Sequence, residues 1–297
     1  MALIEKLQDI KAIKNEIRNS IENKGVDTTN STFSDYPALI DSIETGGGSG
    51  EDLVIEDCRY LFYGGYRFDV IDKLYKLLKP TSANYMFGST SNATSNATLE
   101  QLNYISKIDF SNCTTIDSMF RAMSYTNFPS ELILDLPKCT IVSNFLYGYA
   151  GTYNLKKVIL KNTNLVQNWS YSFYTGFNNT GDRYQKKIEE IELDMSACTN
   201  CTYFFNAPTS TLSNCPYLTK IVFTGSFGGN STTSTLTLDM SKLDGMTKDG
   251  FIAMFESLGE NTNGKTRIIQ ISAAIYDTMS EDELAIATNK GYTITSA

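Results

Sequence analysis

The 297-residue sequence contains no histidine. This excludes Ser-His-Asp and Cys-His nucleophilic machinery, and with it zinc and non-haem iron sites held by imidazole. Carboxylate, tyrosine and lysine chemistry survive this filter. Basic residues are in deficit: 25 Lys and Arg stand against 33 Asp and Glu, a formal net charge of −8. Phosphate binding depends on a Lys/Arg surplus, so no nucleic-acid partner is expected. No uncharged stretch is apolar enough to span a bilayer; residues 162–181 lack charge but are crowded with Asn, Thr and Ser. The opening MALIEKLQDIKAIKNEIR interrupts its apolar residues with charges every few positions, unlike a secretory signal. Synthesis and folding in a reducing cytosol are expected, with the six cysteines as thiols.

What is present is polar and aromatic. The chain holds 28 Ser, 33 Thr and 24 Asn beside 18 Tyr and 16 Phe, which suits strands and turns better than helices.

Residues 2–24 form the exception. Leu3, Leu7, Ile10, Ile17 and Ile21 recur at helical spacing, Ile4 and Ile13 widen the stripe, and Lys24-Gly25 reads as the C-cap. A shorter helix is expected from Asp35 to about Glu44, followed by the flexible linker Gly46-Gly47-Gly48-Ser49-Gly50. The stripe Leu3, Leu7, Ile10, Ile13, Ile17 and Ile21 requires a partner. Self-association as a coiled coil or docking on a larger assembly competes with folding back on the chain, and Lys14 on the stripe weakens the pure coiled coil.

From residue 51 one pattern recurs. Ile108-Asp-Phe-Ser-Asn-Cys113-Thr-Thr-Ile-Asp-Ser-Met119-Phe120 aligns without gaps to the segments Leu134–Leu146 and Leu193–Phe205. Weaker copies end at Met86-Phe87 and begin at Val158 and Leu238. Short apolar alternations such as Leu134/Leu136 are strand-like, the Cys packs inward at a turn, and the Met-Phe pair returns to the core. Stacked units of about 25–35 residues bury a continuous core that no single unit forms alone. Further strands are expected at 157–160, 219–223 and 267–271. After the repeats, Thr247 starts a helix through Phe251, Met254 and Phe255, and Ser280 with Glu283 forms a capping box for a last helix. The expected architecture is α+β: a solenoid of short strands and irregular coils with an N-terminal helical module and a C-terminal α/β cap. Its segments are 1–45 (helical attachment or oligomerisation), 46–51 (linker), 52–245 (repeats) and 246–297 (cap).

Three clusters carry candidate chemistry. Asp109, Asp135, Asp194 and Asp239 recur beside the strands and read as a solvated column before a metal or catalytic one. Glu190, Glu192 and Asp194 share one face of a strand, where paired carboxylates cleave glycosides if suitably separated, although a charged outer face is commoner. Tyr147, Tyr149, Tyr153, Trp169, Tyr171, Phe173 and Tyr174 form an aromatic cluster suited to sugar faces or protein interfaces, against packing between coils as the alternative. Cys198-x-x-Cys201 lacks a second thiol pair or histidine, so neither metal nor cofactor is expected.

Two resemblances extend this reading. LQDIKAIKNEIRNSIENKGV…FSDYPALIDSI resembles the N-terminal module of tail and fibre proteins of phages that infect gut bacteria. The unit I-D-F-S-N-C-T-T-I-D-S-M-F is similar to the BspA-type leucine-rich repeat of bacterial surface adhesins and phage structural proteins, across residues 52–245, with departures at Val158–Ser170. These resemblances imply a non-catalytic virion protein of fibre or appendage type, a homo-oligomer (a trimer for a fibre) contacting other virion proteins and a host surface glycan or protein. A bacterial cell-surface adhesin of the same repeat family is the alternative, and a polysaccharide-degrading enzyme the third reading.

Overall fold

The computed structural model describes residues 2–29, 31–32, 35–36, 54–65, 68–90, 93–125, 127–148, 154–174, 187–205 and 215–297. The expected second helix beyond Tyr36 and the glycine linker lie outside these residues.

Helix α1 (Ala2–Glu22) ends where the sequence requires it. Gly25 takes φ +83°, its N–H donates to the Glu22 carbonyl (2.8 Å), and the Val26 N–H reaches back to the Ile21 carbonyl (3.4 Å), a Schellman closure. Ile13, Ile17 and Ile21 are buried within the chain's own core. Arg18 Nε donates to the Tyr36 hydroxyl (3.0 Å). The helix lies beside strand β1 (Ile55–Asp57), and burial first, then the Asp57 carboxylate, push the Glu16 carboxyl up. This half of the stripe is therefore covered intramolecularly, the fold-back arrangement; the side chains of Leu3, Leu7 and Ile10 lie outside the described residues.

The body is a parallel β-solenoid. β1 pairs with β2 (Leu78–Ser82) after the one-turn helix α2 (Ile71–Leu74), and β3 (Ala93–Ser95) pairs across helix α3 (Leu99–Asn103) with β4 (Met123–Tyr125). The regular side is a four-stranded parallel sheet: β5 (Glu131–Asp135), β6 (Lys157–Lys161), β7 (Glu190–Met195) and β8 (Lys220–Phe227), in that order. Its inner face is one row per register position, with Leu132, Val158, Ile191 and Ile221 level with one another. All four are buried, as period-two side-chain alternation on a sheet with one covered face dictates. On the outer face the same register aligns Glu131, Lys157, Glu190 and Lys220, with N–O distances of 3.8, 3.3 and 3.1 Å between successive neighbours.

A second ladder starts at the ends of β1 and β2 and continues as isolated bridges. Asp57, Ser82, Thr115, Ile141, Asn168 and Asn200 bridge in parallel through six successive passes. The alternation Ile108/Phe110, expected as a strand, is buried but not β; the chain enters it from the 3₁₀ turn Ile105–Lys107 and makes no ladder with β5.

The last sheet is β11–β10–β9, all parallel: β9 (Thr235–Asp239), β10 (Thr266–Ile271) and β11 (Thr293–Ser296). The Leu238 unit thus pairs with the closing segment and not with β8. Helix α4 (Lys248–Ser257), N-capped by Thr247, buries Phe251, Met254 and Phe255, and packs on β8. Helices α5 (Ala273–Tyr276) and α6 (Glu281–Thr288) follow, the latter opening with the Ser280/Glu283 capping box. Backbone groups along the far edge of β8 are taken by Ser257 Oγ (from Phe223 N–H, 3.0 Å), the Gly259 N–H (to Gly225 O, 3.0 Å) and the Tyr292 hydroxyl (from Phe227 N–H, 3.0 Å). An edge closed in this way offers no template for another strand. Arg267 is fully buried and meets backbone carbonyls alone: Gly228 (2.9 Å), Thr266 (2.9 Å), Thr233 (3.1 Å) and Ser231 (3.4 Å).

Candidate functional site

Each pass on the irregular side has a residue in the left-handed conformation two positions before a buried core residue. These are Tyr60, Tyr85, Ser118, Asn144, Tyr171 and Tyr203, with φ between 53° and 61°. Positive φ costs an L-residue roughly 1–2 kcal/mol, and bulky side chains are uncommon there. The ladder holds them: Tyr60 N–H donates to Asn84 O, Tyr85 to Asp117 O, Ser118 to Ser143 O, Asn144 to Ser170 O and Tyr171 to Thr202 O, at 2.9–3.2 Å. Two residues further on, Phe62, Phe87, Phe120, Leu146, Phe173 and Phe205 point into the core, all at most 1 % exposed. Tyr60, Tyr85, Tyr171 and Tyr203 at the left-handed position, and Tyr63, Arg121, Tyr147 and Tyr174 three positions after one, face outward half-buried, whereas Ser118 is buried.

Those outward positions form a continuous stripe. Tyr60 stacks on Tyr85 (centroids 5.3 Å, planes 14° apart) and meets Tyr63 edge-on (5.5 Å). The Arg121 guanidinium lies 5.9 Å from the Tyr85 ring and 5.0 Å from the Tyr147 ring, and its Nη1 donates to the Tyr85 hydroxyl (2.8 Å). Tyr147 touches Tyr171 (5.9 Å) and Tyr174 (5.8 Å), and Tyr171 touches Tyr203 (5.1 Å). All eight side chains are half-buried, so part of each remains in solvent. Burial first, then the neighbouring phenols of Tyr147, Tyr171 and Tyr203, push the Tyr174 hydroxyl pKa up. In the second pass the outward position is Gly88, where a Cβ would stand 2.4 Å from the Ser118 carbonyl oxygen; no side chain fits there.

Of the aromatic residues expected at a ligand surface, Tyr147, Tyr171 and Tyr174 are brought together. Trp169 is not among them. It is fully buried, its indole N–H donates to Val166 O (3.2 Å), and its ring meets Phe204 edge-on at 6.0 Å. It occupies the inward position that holds Ile116, Val142 and Cys201 in other passes, so packing decided its role. Tyr149 and Tyr153 lie outside the described residues. Tyr60, Tyr63, Tyr85, Arg121 and Tyr203 were missed, although a signal existed. R-Y-L-F (59–62), N-Y-M-F (84–87), S-Y-S-F (170–173) and T-Y-F-F (202–205) place Tyr two residues before the buried Phe.

The other clusters have structural occupations. Asp109, Asp194 and Asp239 each accept the N–H two residues on (3.0, 2.7 and 2.9 Å), closing a turn that for Asp194 and Asp239 follows a strand, and Asp135 accepts from Asn162 Nδ2 (2.7 Å). Burial raises the Glu190 carboxyl, but hydrogen bonds from Lys220 and Lys157 outweigh it and hold the group below its ordinary range. A glycosidase general acid needs the opposite shift. Burial pushes the Cys113 thiol up to about 12 and Cys139 to about 11, and Cys198 is raised as well, which keeps them protonated and unreactive. Among the described residues no three His, Cys, Asp or Glu side chains are placed to hold a metal. No described helix is long and apolar enough to cross a membrane. An open depression of about 530 Å³ beside Tyr63, lined by Gly64, Gly65, Phe68, Ser95 and Gln101 among others, contains one carboxylate, Asp69.

The chain matches no family model, no curated protein and no solved structure.

Proposed function

We propose that this chain is a non-catalytic adhesion protein, in which the solenoid displays the tyrosine–arginine stripe to a partner outside the chain. The observation that carries this reading is the stripe itself: seven half-exposed tyrosines and one arginine in unbroken contact across six passes of a hydrogen-bonded scaffold. Tyr and Arg dominate the energetics of binding surfaces, because rigid rings give large contact area at small entropy cost. The repeat unit supports assignment of the solenoid to the BspA-type leucine-rich repeat. The N-terminal resemblance supports a place on a phage virion, as fibre or appendage, with oligomerisation through the part of α1 around Leu3, Leu7 and Ile10. A cell-surface adhesin uses the same stripe and is the alternative.

Immunogold labelling with an antibody to the full chain tests the location. Gold on virions is expected, and gold on cell envelopes alone favours the adhesin. Binding of the labelled chain to bacteria tests the site. The double variant Tyr147→Ala/Tyr171→Ala should lose most of the binding while its melting curve holds. Undiminished binding by the folded variant would remove the stripe from the function.

A further inference from the structure

The stripe runs across the coils, and its geometry narrows the partner. Ring contacts cross three of the five steps between passes, Tyr60–Tyr85 (5.3 Å), Tyr147–Tyr171 (5.9 Å) and Tyr171–Tyr203 (5.1 Å), and Arg121 bridges the two between Tyr85 and Tyr147, so the surface runs along the solenoid axis. Passes of a parallel ladder are spaced by about 4.8 Å, which makes the six-pass track roughly 24 Å long. Such a surface fits a ligand that is itself linear and periodic and offers a flat apolar face in each unit, as the C–H faces of pyranose rings do. The rings are phenols, not Phe or Leu, so Tyr147, Tyr171, Tyr174 and Tyr203 bring hydroxyls beside the stacking face, while those of Tyr63 and Tyr85 are engaged by Thr90 and Arg121. Along the same passes Asn84, Thr115, Asn168 and Asn200 are half-buried and Thr202 is exposed; Asn84 Oδ1 accepts from Thr115 Oγ1 (2.8 Å), and Asn168 and Asn200 Oδ1 accept from the backbone two residues on (3.1 and 3.0 Å).

Arg121 supplies the charge. It sits midway, where the left-handed positions change from tyrosine to Ser118 and Asn144, clamped between the Tyr85 and Tyr147 rings. One N–H is used by Tyr85, and no described carboxylate pairs with the guanidinium, in a chain of net charge −8. A guanidinium held between two rings, with N–H groups beyond the one given to Tyr85, takes a carboxylate in the two-pronged geometry that lysine lacks. One cation among neutral rings suits occasional charge on the ligand. Single-stranded nucleic acid, which also stacks on aromatics, brings a phosphate per unit and needs a basic groove.

We propose that the stripe is a binding track for a linear polysaccharide in which acidic sugars alternate with neutral ones, with sugar faces on the tyrosines and a carboxylate on Arg121. This rests on the adhesion reading above and names its partner.

The test uses the purified full chain with hyaluronate and gellan oligosaccharides, each beside its carboxyl-reduced counterpart, followed by calorimetry or tyrosine fluorescence. Binding of at least one acidic oligosaccharide is expected, weakened roughly tenfold by carboxyl reduction. Arg121→Gln should erase that difference without shifting the melting curve, and Arg121→Lys should restore part of it. Tyr147→Ala/Tyr171→Ala should weaken the acidic and reduced forms alike. No binding across the panel, or a charge preference that survives Arg121→Gln, overturns the proposal. Periodate treatment of the bacterial surface separates the two readings. Cell binding that survives it means a protein partner, so adhesion stands and the polysaccharide falls; no cell binding in either state removes the adhesion reading itself.

Discussion

Phe120 is fully buried and touches the rings on either side: it stacks on Phe87 (5.5 Å, planes 12° apart) and meets Phe145 edge-on at 5.4 Å. Its backbone N–H donates to the Phe145 carbonyl, so the ring is fixed at both ends by the passes before and after it. A cavity opened there has little room to collapse, because the ladder holds the spacing between passes. Phe120→Ala should cost about 3–5 kcal/mol in chemical denaturation, the range for buried phenylalanine. A loss under about 1 kcal/mol would place the ring outside the core. The same packing logic explains Trp169, whose rarity in the sequence suggested a surface role and whose position in the unit buried it. Arg267 is the reverse case: a charged residue in the core, tolerated because carbonyls of the 228–233 turn satisfy its donors.

The elements of the regular sheet are aligned by register, and register creates an interaction visible in no single strand. Glu131, Lys157, Glu190 and Lys220 are far apart in sequence but level across β5–β8. Opposite charges on neighbouring strands support this pairing and disfavour a slip, which would juxtapose different residues. Glu190 titrates below its ordinary value of 4.5 because lysine hydrogen bonds prevail over burial. A depressed carboxyl contributes stability that is complete above the unfolded value and lost as pH falls through the folded one. Glu190→Gln should therefore lower the melting temperature slightly near neutrality, where the pair is worth no more than about 1 kcal/mol, and converge with the parent protein in acid, which flattens the acid limb. An unchanged acid limb would mean that Glu190 titrates alike in both states.

For the whole molecule the open question is what covers the two ends of a solenoid. At the far end, α4 and Tyr292 close the edge of β8, and Lys290 Nζ caps α4 by donating to the carbonyls of Phe255, Glu256 and Leu258 (2.9, 2.7 and 2.7 Å). At the near end, α1 covers β1 with Ile13, Ile17 and Ile21, each worth about 1.5–3 kcal/mol of burial. Deleting residues 2–29 should then lower the melting temperature by about 5 °C or more and promote aggregation, at any protein concentration. If α1 acted through other subunits alone, the deletion would change the oligomeric state by light scattering and leave the melting of a dilute sample where it was.

Period, punctuation and charge were legible in the chain itself. The D-x-S-x-C unit, the Thr247 and Ser280 helix starts and the Gly25 stop are local signals, and local hydrogen bonds and backbone sterics are enough to realise them. The absence of histidine likewise removed whole classes of chemistry without any fold. The stripe was legible in part, because Tyr147, Tyr171 and Tyr174 stand close together in sequence. Tyr60, Tyr85 and Arg121 joined them only when passes of unequal length, 25 residues from Tyr60 to Tyr85 and 33 from Tyr85 to Ser118, were brought into a common register. That register is fixed by hydrogen bonds between passes, a long-range property that no window of sequence contains. The same holds for the destination of α1: its apolar stripe states that something must cover it, and the position of β1 decides that the chain covers half of it itself.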